Sequence, residues 1–271
     1  MTQPFDDAVV GAGIIGLAHA YHLARRGRRV VVFERGPRAQ GASVRNFGML
    51  WPIGQPPGRM HQLAMRSSEH WLTVLMAARL WHAEVGSLHL AYRDDEEAVL
   101  REFAGAEGPG YDTRLLSPIE VCNRTSAVRQ EGLRVGLFSP TEICVDPREV
   151  IANLPAWLSR ESGVSFEFGC TVTDYSRPSV RAGGREWRAN RLWVCAGDDI
   201  QTLYPAALRS MGLRRCKLQM MRTRPYGDAF ALGPMLAGGL TLRHYASFAR
   251  CPSLPGECVR RVSPAPSVLI V

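Results

Sequence analysis

Near the start of the chain, Gly11, Gly13 and Gly16 stand in the run Gly11-Ala12-Gly13-Ile14-Ile15-Gly16. An apolar stretch (Ala8, Val9, Val10) leads into them. A helical pattern follows as far as Gly27, and a second apolar stretch from Val30 to Phe33 ends on Glu34. These residue types at this spacing can hold an anion. Gly11 allows a tight turn out of a strand, Gly13 leaves the backbone open to a pyrophosphate, and Gly16 lets a helix pack close on a sheet. The free N–H groups and positive end of that helix then face the phosphates. A carboxylate roughly twenty residues on, here Glu34, accepts hydrogen bonds from ribose hydroxyls. Three glycines alone would also fit a structural turn. The strand, helix and acid around them turn the reading toward dinucleotide binding.

The elements that must position this turn follow from periodicity. Gly36 to Gly58 reads as a long Gly- and Pro-rich loop centred on Gly41 to Pro52. Loops of that length are usually functional or disordered, and the aromatic and small residues around Arg45 and Asn46 argue against disorder. Met60 to Trp81 carries an apolar stripe at helical spacing. Ser87 to Tyr92 alternates like a strand, Asp94 to Phe103 has the acidic first turn of a short helix, and Ser117-Pro118 opens another. Leu133 to Val145 reads as a hairpin or two strands. Asp146 at an N-cap and Pro147 at the next position start a helix that runs to about Arg160. Val164 to Phe168, Thr171 to Tyr175, Arg191 to Cys195, Leu213 to Arg224 and Leu240 to Phe248 read as strands. The α/β pieces thus fall in 1–50, 147–175 and 191–205, and the remaining segments form a second, sheet-containing domain.

A chain of 271 residues suggests one large or two ordinary domains. At 46% hydrophobic and 21% charged, its composition is that of a soluble globular protein. No apolar run is long enough for a membrane span. Asp6 and Asp7 precede the first strand directly, so no signal peptide is expected and the expected location is cytoplasmic. The 7 cysteines form no CxxC pair, which predicts reduced thiols and no metal site. The net charge of +8 is nearly all arginine, Lys217 being the single lysine. That balance favours an anionic small molecule. No nucleic-acid partner is expected, because the arginines are scattered. Their one cluster, Arg25-Arg26 and Arg28-Arg29, falls at a helix C-terminus, where cations are favoured anyway.

Glu34-Arg35 followed by Gly41-Ala42-Ser43, the helix-opening Val145-Asp146-Pro147, and Trp193-Val194-Cys195-Ala196-Gly197 go beyond a generic dinucleotide unit. Together they resemble the FAD-dependent amine oxidoreductases of the D-amino-acid oxidase, glycine oxidase and sarcosine oxidase superfamily, over about residues 5 to 252. Ser43 to Pro56, Arg215 to Thr223 and Gly238 to Phe248 resemble a narrower clade associated with bacterial aminophosphonate catabolism. The resemblance implies an α/β Rossmann-like FAD-binding domain, discontinuous in sequence (1–50, 147–205). A second α+β substrate domain on a mainly antiparallel sheet would take 51–146 and 206–251. It implies FAD as cofactor, and the Gly41-Ala42-Ser43 match argues against an NAD-dependent dehydrogenase. Carried over by motif, Gly11, Gly13, Ile15 and Gly16 would hold the pyrophosphate turn, Glu34 the adenosine ribose, and Arg35 would sit beside the adenine. Ser43, Arg45 and Asn46 would flank the pyrophosphate and ribityl chain. Phe47, Gly48 and Met49 would run along the isoalloxazine, Val172 would meet the adenine through its backbone, and Ala196-Gly197 would close over the ADP.

The resemblance further implies oxidation of the C–N bond of a small anionic amine, an aminophosphonate or amino acid. The resulting imine hydrolyses to an aldehyde or keto product, with oxygen or another acceptor taking the electrons. Arg243 and His244 are the catalytic candidates. Arg243 either grips a phosphonate or carboxylate in a bidentate fork or is a solvated strand arginine. His244 either helps deprotonate the amine or is structural. On a strand the two would point to opposite faces. Trp51, Gln219 and Tyr245 are the substrate-contact candidates, with His61 and Arg66 as further ones early in the helix after the loop. From Pro252 the family pattern fades. This predicts a C-terminally truncated chain with a divergent tail at 252–271, and leaves a non-catalytic FAD- or ADP-binding remnant as the alternative.

Overall fold

The computed structural model of the chain describes residues 4–106, 108–213, 215, 221–224 and 233–254. From the N-terminus these form β1 (Phe5–Val10), α1 (Ile14–Ala24), β2 (Val30–Glu34), β3 (Met49–Leu50), α2 (Arg59–Ala78), β4 (His82–Ala83) and β5 (Ser87–Ala91). There follow α3 (Asp94–Ala106), α4 (Gly108–Tyr111), β6 (Arg114–Leu116), α5 (Pro118–Arg124), β7 (Val135–Ser139), β8 (Ile143–Val145) and α6 (Pro147–Ser162). The last are β9 (Ser165–Phe168), β10 (Val172–Ser176), β11 (Ser179–Ala182), β12 (Arg185–Val194), α7 (Pro205–Ser210), β13 (Met235–Ala237) and α8 (Gly239–Leu242). They fall into two units, one assembled from Met1–Phe47 and Asp146–Met221, the other from Gly48–Val145 and Arg222–Ser263, each taken over its described residues.

The first unit carries a six-stranded sheet in the order β10-β11-β12-β1-β2-β9. β1 runs parallel to both β12 and β2, with Val10 opposite Val194 on one side and Phe33 on the other, and β9 adds parallel to β2. The C-terminal ends of four strands therefore share one edge, where open α/β sheets bind their ligands. Ala8, Val9 and Val30 to Phe33 are all buried. Their unbroken apolar runs reflect parallel strands covered on both faces. α1 buries Leu17, Ala20 and Leu23, a stripe at helical spacing. α6 starts where Asp146 Oδ1 accepts from the Arg148 N–H (2.8 Å), with Pro147 behind it, and it ends on Gly163 in the left-handed region. β12 serves two partners: Arg185 to Arg188 pairs antiparallel with β11, and Ala189 to Val194 pairs parallel with β1.

The second unit holds a four-stranded sheet, β13-β5-β7-β6, and a three-stranded one, β3-β8-β4. Apart from the β13–β5 pair, every pairing in them is antiparallel. The chain thus comprises a Rossmann-like α/β unit and a mainly antiparallel α+β one. The core of the second unit gathers Ile53, Leu100, Phe103, Tyr111, Leu137 and Phe248. Glu142 is fully buried within it and accepts from the Ile53 N–H (3.1 Å), Ser87 Oγ (2.9 Å) and Thr141 Oγ1 (2.9 Å). Such bonds are what make a buried carboxylate tolerable.

Two local expectations are corrected, and one pair of alternatives is resolved. Gly36 to Gly58 is not one loop: it contains 3-10 turns at Ala42–Val44 and Pro52–Gly54 with β3 between them. Leu133 to Val145, read as a hairpin or two strands, is two strands: β7 and β8 pair in different sheets. Leu240 to Phe248 is not a strand but the end of α8, a turn and a 3-10 turn at Ala246–Phe248. Its buried residues, Leu242, Ser247 and Phe248, do not alternate. Of the strand expected over Leu213 to Arg224, only Leu213, Arg215 and Met221 to Arg224 are described, and none of these is extended into a sheet.

Candidate functional site

The glycine turn joins β1 to α1 at the ligand edge of the first unit. Gly11 has φ +100°, and a Cβ there would lie 2.4 Å from the Cys195 carbonyl oxygen at the end of β12. A Cβ on Gly16 would lie 1.9 Å from the Gly11 carbonyl oxygen. Both positions are closed to any side chain. Gly13 differs: its φ is −69°, and its Cβ would meet only Ser43, at 3.1 Å from Oγ. The backbone there is open on the side where a pyrophosphate would approach. Gly13 is also the N-cap of α1 and offers no side-chain cap. Ser43 reaches across from its 3-10 turn instead, its Oγ accepting from the Ile14 N–H at 2.9 Å. Ile15 lies in the first turn of α1 and is exposed.

Glu34 closes β2 beside this turn. One carboxylate oxygen accepts from the Ala12 N–H and the other from the Gly36 N–H, each at 3.0 Å. A carboxylate has about four acceptor positions, so acceptor capacity remains for ribose hydroxyls. Arg35 is held by Asp199 at 2.9 Å. Burial opposes ionisation of Asp199, but bonds from the Thr202 hydroxyl and the Gln201 and Thr202 amides, with Arg35 alongside, hold its carboxyl below the ordinary value. Ala196 and Gly197 follow β12 after Cys195, whose N–H donates to Val10 O at 2.9 Å. Burial pushes the Cys195 thiol up to about 11, so it stays protonated at neutral pH. Val172 begins β10 with its side chain buried in the core beside Phe33. Two residues before it, the Cys170 N–H donates to Glu34 O at 2.9 Å. A hollow of about 330 Å³ adjoins the turn, lined among others by Ala12, Arg38, Ile151 and Pro155.

Along the next motif, Asn46 donates through Nδ2 to Ala42 O and Ser43 O, each at 3.0 Å, and so closes the 3-10 turn that presents Ser43. Arg45 and Phe47 are exposed. Gly48 and Met49 open the second unit, where Gly48 O accepts from the Val145 N–H and Met49 pairs with Cys144.

In the second unit the structure brings Trp51 and Tyr245 together, with ring centroids 6.0 Å apart. A Cβ on Gly54 would lie 2.5 Å from Tyr245 and 2.6 Å from Trp51, so this glycine sets their spacing. Trp51 also packs on His89, 5.4 Å away. His89 is fully buried, both ring nitrogens lack a partner among the described residues, and burial drives its pKa down to about 3. Arg243 stands in the turn after α8, with Nη2 3.8 Å from Asp95 Oδ2. His244 follows it and is exposed. Both lie on a turn, so strand alternation does not divide them. Gln219 lies outside the described residues.

Sequence reasoning missed Asp199, the anchor of Arg35, and Asp7, which is buried in β1. Asp7 accepts from Arg191 Nε and Trp193 Nε1 at 2.8 Å each and pairs with Arg28. The signal for Asp7 was an acid directly ahead of an apolar strand run. Asp199 carried none, because its partner is distant in sequence.

The model of the family described as FAD dependent oxidoreductase matches residues 6–250. The glycine oxidase of Geobacillus kaustophilus (strain HTA426) is 48% identical over an alignment of 177 residues that covers 62% of this chain and 47% of that protein. D-amino acid dehydrogenase 2 of Mesorhizobium japonicum is 27% identical over an alignment of 233 residues that covers 64% of this chain and 56% of that protein. The chain thus spans about half the length of these curated relatives. Among solved structures, glycine oxidase from Bacillus cereus ATCC 14579 superposes with a TM-score of 0.66 at 22% identity, over 76% of this chain and 58% of that one, a likeness of fold. With the glycine turn, Ser43 and Glu34 gathered at the ligand edge of the parallel strands β12-β1-β2-β9, the match over nearly the whole chain leads to one conclusion: this chain belongs to the FAD dependent oxidoreductase family.

Proposed function

We propose that the chain binds FAD and oxidises the C–N bond of a small anionic amine, an amino acid or aminophosphonate, to an imine that water hydrolyses. The observation that carries this reading is the cradle in the first unit: a glycine turn whose backbone is bare at Gly13, a helix start capped by Ser43, and the Glu34 carboxylate beside it. When bound, FAD supplies the acceptor for the hydride equivalent leaving the carbon that bears nitrogen. The residues of this chain bind and orient. Gly11, Gly13, Ile15 and Gly16 carry the pyrophosphate, Glu34 and Arg35 the adenosine end, and Ser43 to Met49 the rest of the cofactor, with Val172, Ala196 and Gly197 closing the ADP side. Arg243 takes the anionic group of the substrate. Its pairing with Asp95 is long, at 3.8 Å, and Asp95 keeps Arg93 as a closer partner at 2.8 Å, so little is lost in exchanging it. His244 accepts the proton of the amine, and Trp51 and Tyr245 form the apolar wall.

The test is anaerobic mixing of the FAD-loaded chain with glycine, D-alanine and 2-aminoethylphosphonate. Bleaching of the flavin band by at least one, with release of the matching aldehyde or keto acid, is the expected result. Bound flavin that none of the amines reduces would contradict the oxidation and leave nucleotide binding alone.

A further inference from the structure

We propose that a cavity of about 570 Å³ in the second unit binds a small zwitterion, with a carboxylate or phosphonate at one end and an ammonium at the other. Arg66 on α2 and Asp112 directly after α4 line this cavity. Neither has an ion-pair partner among the described residues, each other included. Two opposite charges on one concave wall, too far apart to pair, are complementary to a ligand that carries the reverse pair. A guanidinium takes a carboxylate or phosphonate in a two-pronged bond, and a carboxylate takes an ammonium.

The rest of the lining includes polar and aromatic side chains. His61 lines the cavity, and its buried Nε2 has no partner among the described residues. Its ring packs on Tyr111 with centroids 4.1 Å apart. Tyr111 is fixed in turn by its hydroxyl, which donates to Gln55 O at 2.7 Å, and by Phe103 at 5.1 Å. Burial lowers the His61 pKa against the opposing pull of Glu142. The imidazole is therefore neutral near pH 7 and offers one donor and one acceptor. A buried polar nitrogen without a partner costs free energy that a ligand group can recover. The volume falls in the range of small-molecule sites. This proposal does not rest on the oxidoreductase reading, for it uses neither FAD nor Arg243, Trp51 and Tyr245.

Calorimetric titration of the full chain tests it, with glycine and 2-aminoethylphosphonate as zwitterions and acetate and ethylamine as single-charge probes. The expected result is saturable binding of at least one zwitterion, with both single-charge probes weaker by about tenfold or more. Arg66→Gln and Asp112→Asn should each weaken that binding by about tenfold, while Arg243→Gln leaves it in place. Both substituted side chains are exposed, and melting curves confirm the fold; should one variant not fold, the other decides. No saturable binding, binding undiminished in the folded variants, or binding lost in Arg243→Gln but kept in Arg66→Gln would overturn the proposal. Zwitterion binding here without flavin reduction would count against the oxidoreductase reading alone.

Discussion

Gly11 and Gly13 differ in kind, and that difference is testable. Ala at Gly11 meets both a left-handed backbone and the Cys195 carbonyl, so Gly11→Ala should lose at least about 1–3 kcal/mol of stability. Ala at Gly13 meets only the end of Ser43, so Gly13→Ala should melt within about 1 kcal/mol of the parent yet bind FAD at least about tenfold more weakly. Denaturant melts and flavin titration of the two variants separate these outcomes. Asp7 and His89 both contribute to the acid limb of stability. For Asp7, burial opposes ionisation, but bonds from Arg191, Arg28 and Trp193 outweigh it and hold the pKa below 3.8. Its contribution is therefore complete above the unfolded value and is lost as pH falls through the folded one, below about pH 4. For His89 the unfolded chain takes up a proton near 6.5 that the folded one refuses until about 3, so stability declines as pH falls across that window. His89→Leu removes two unpartnered nitrogens. It should be at least as stable at pH 7 and show a flatter decline between pH 6.5 and 4, measured by urea midpoints. The placement of Glu34 beside the glycine turn was legible because a fixed spacing encodes it. Asp199 and Glu142 were not, because an acid reads as solvated until its distant partners are known.

At the scale of elements, the strand–turn–helix–strand start and the Asp146-Pro147 helix were legible because local signals agree with tertiary burial. Asp146→Ala should cost about 1 kcal/mol, seen as a lower urea midpoint, since it strips the acceptor from two amides of α6. The late segment was not legible. Leu240, Leu242 and Phe248 sit among polar residues at a spacing that fits alternation, and short apolar runs do not separate strand from helical turn. Packing decided it: Leu242 and Phe248 join one core while His244 stays exposed. The consequence is that Tyr245, not His244, is the residue turned toward Trp51. Gly54→Ala forces both rings apart and should change KM for the amine more than it changes FAD affinity, which steady-state kinetics and flavin titration read separately. β7 and β8 carried the same difficulty, because strand pairing across sheets is not written in either strand.

At the scale of the molecule, the order β12-β1-β2-β9 places the ends of distant segments on one edge, which is why a discontinuous chain can make one nucleotide cradle. Among the described residues, no helix is long and apolar enough to cross a membrane. The central claim is that this cradle holds FAD. The measurement that tests it most directly is the visible spectrum of the purified chain after incubation with FAD and removal of free ligand, taken beside Gly13→Ala. A shifted flavin band at one equivalent in the parent, absent or strongly reduced in the equally folded variant, is the predicted result. A folded parent that retains no flavin, or a variant that retains as much, would contradict it.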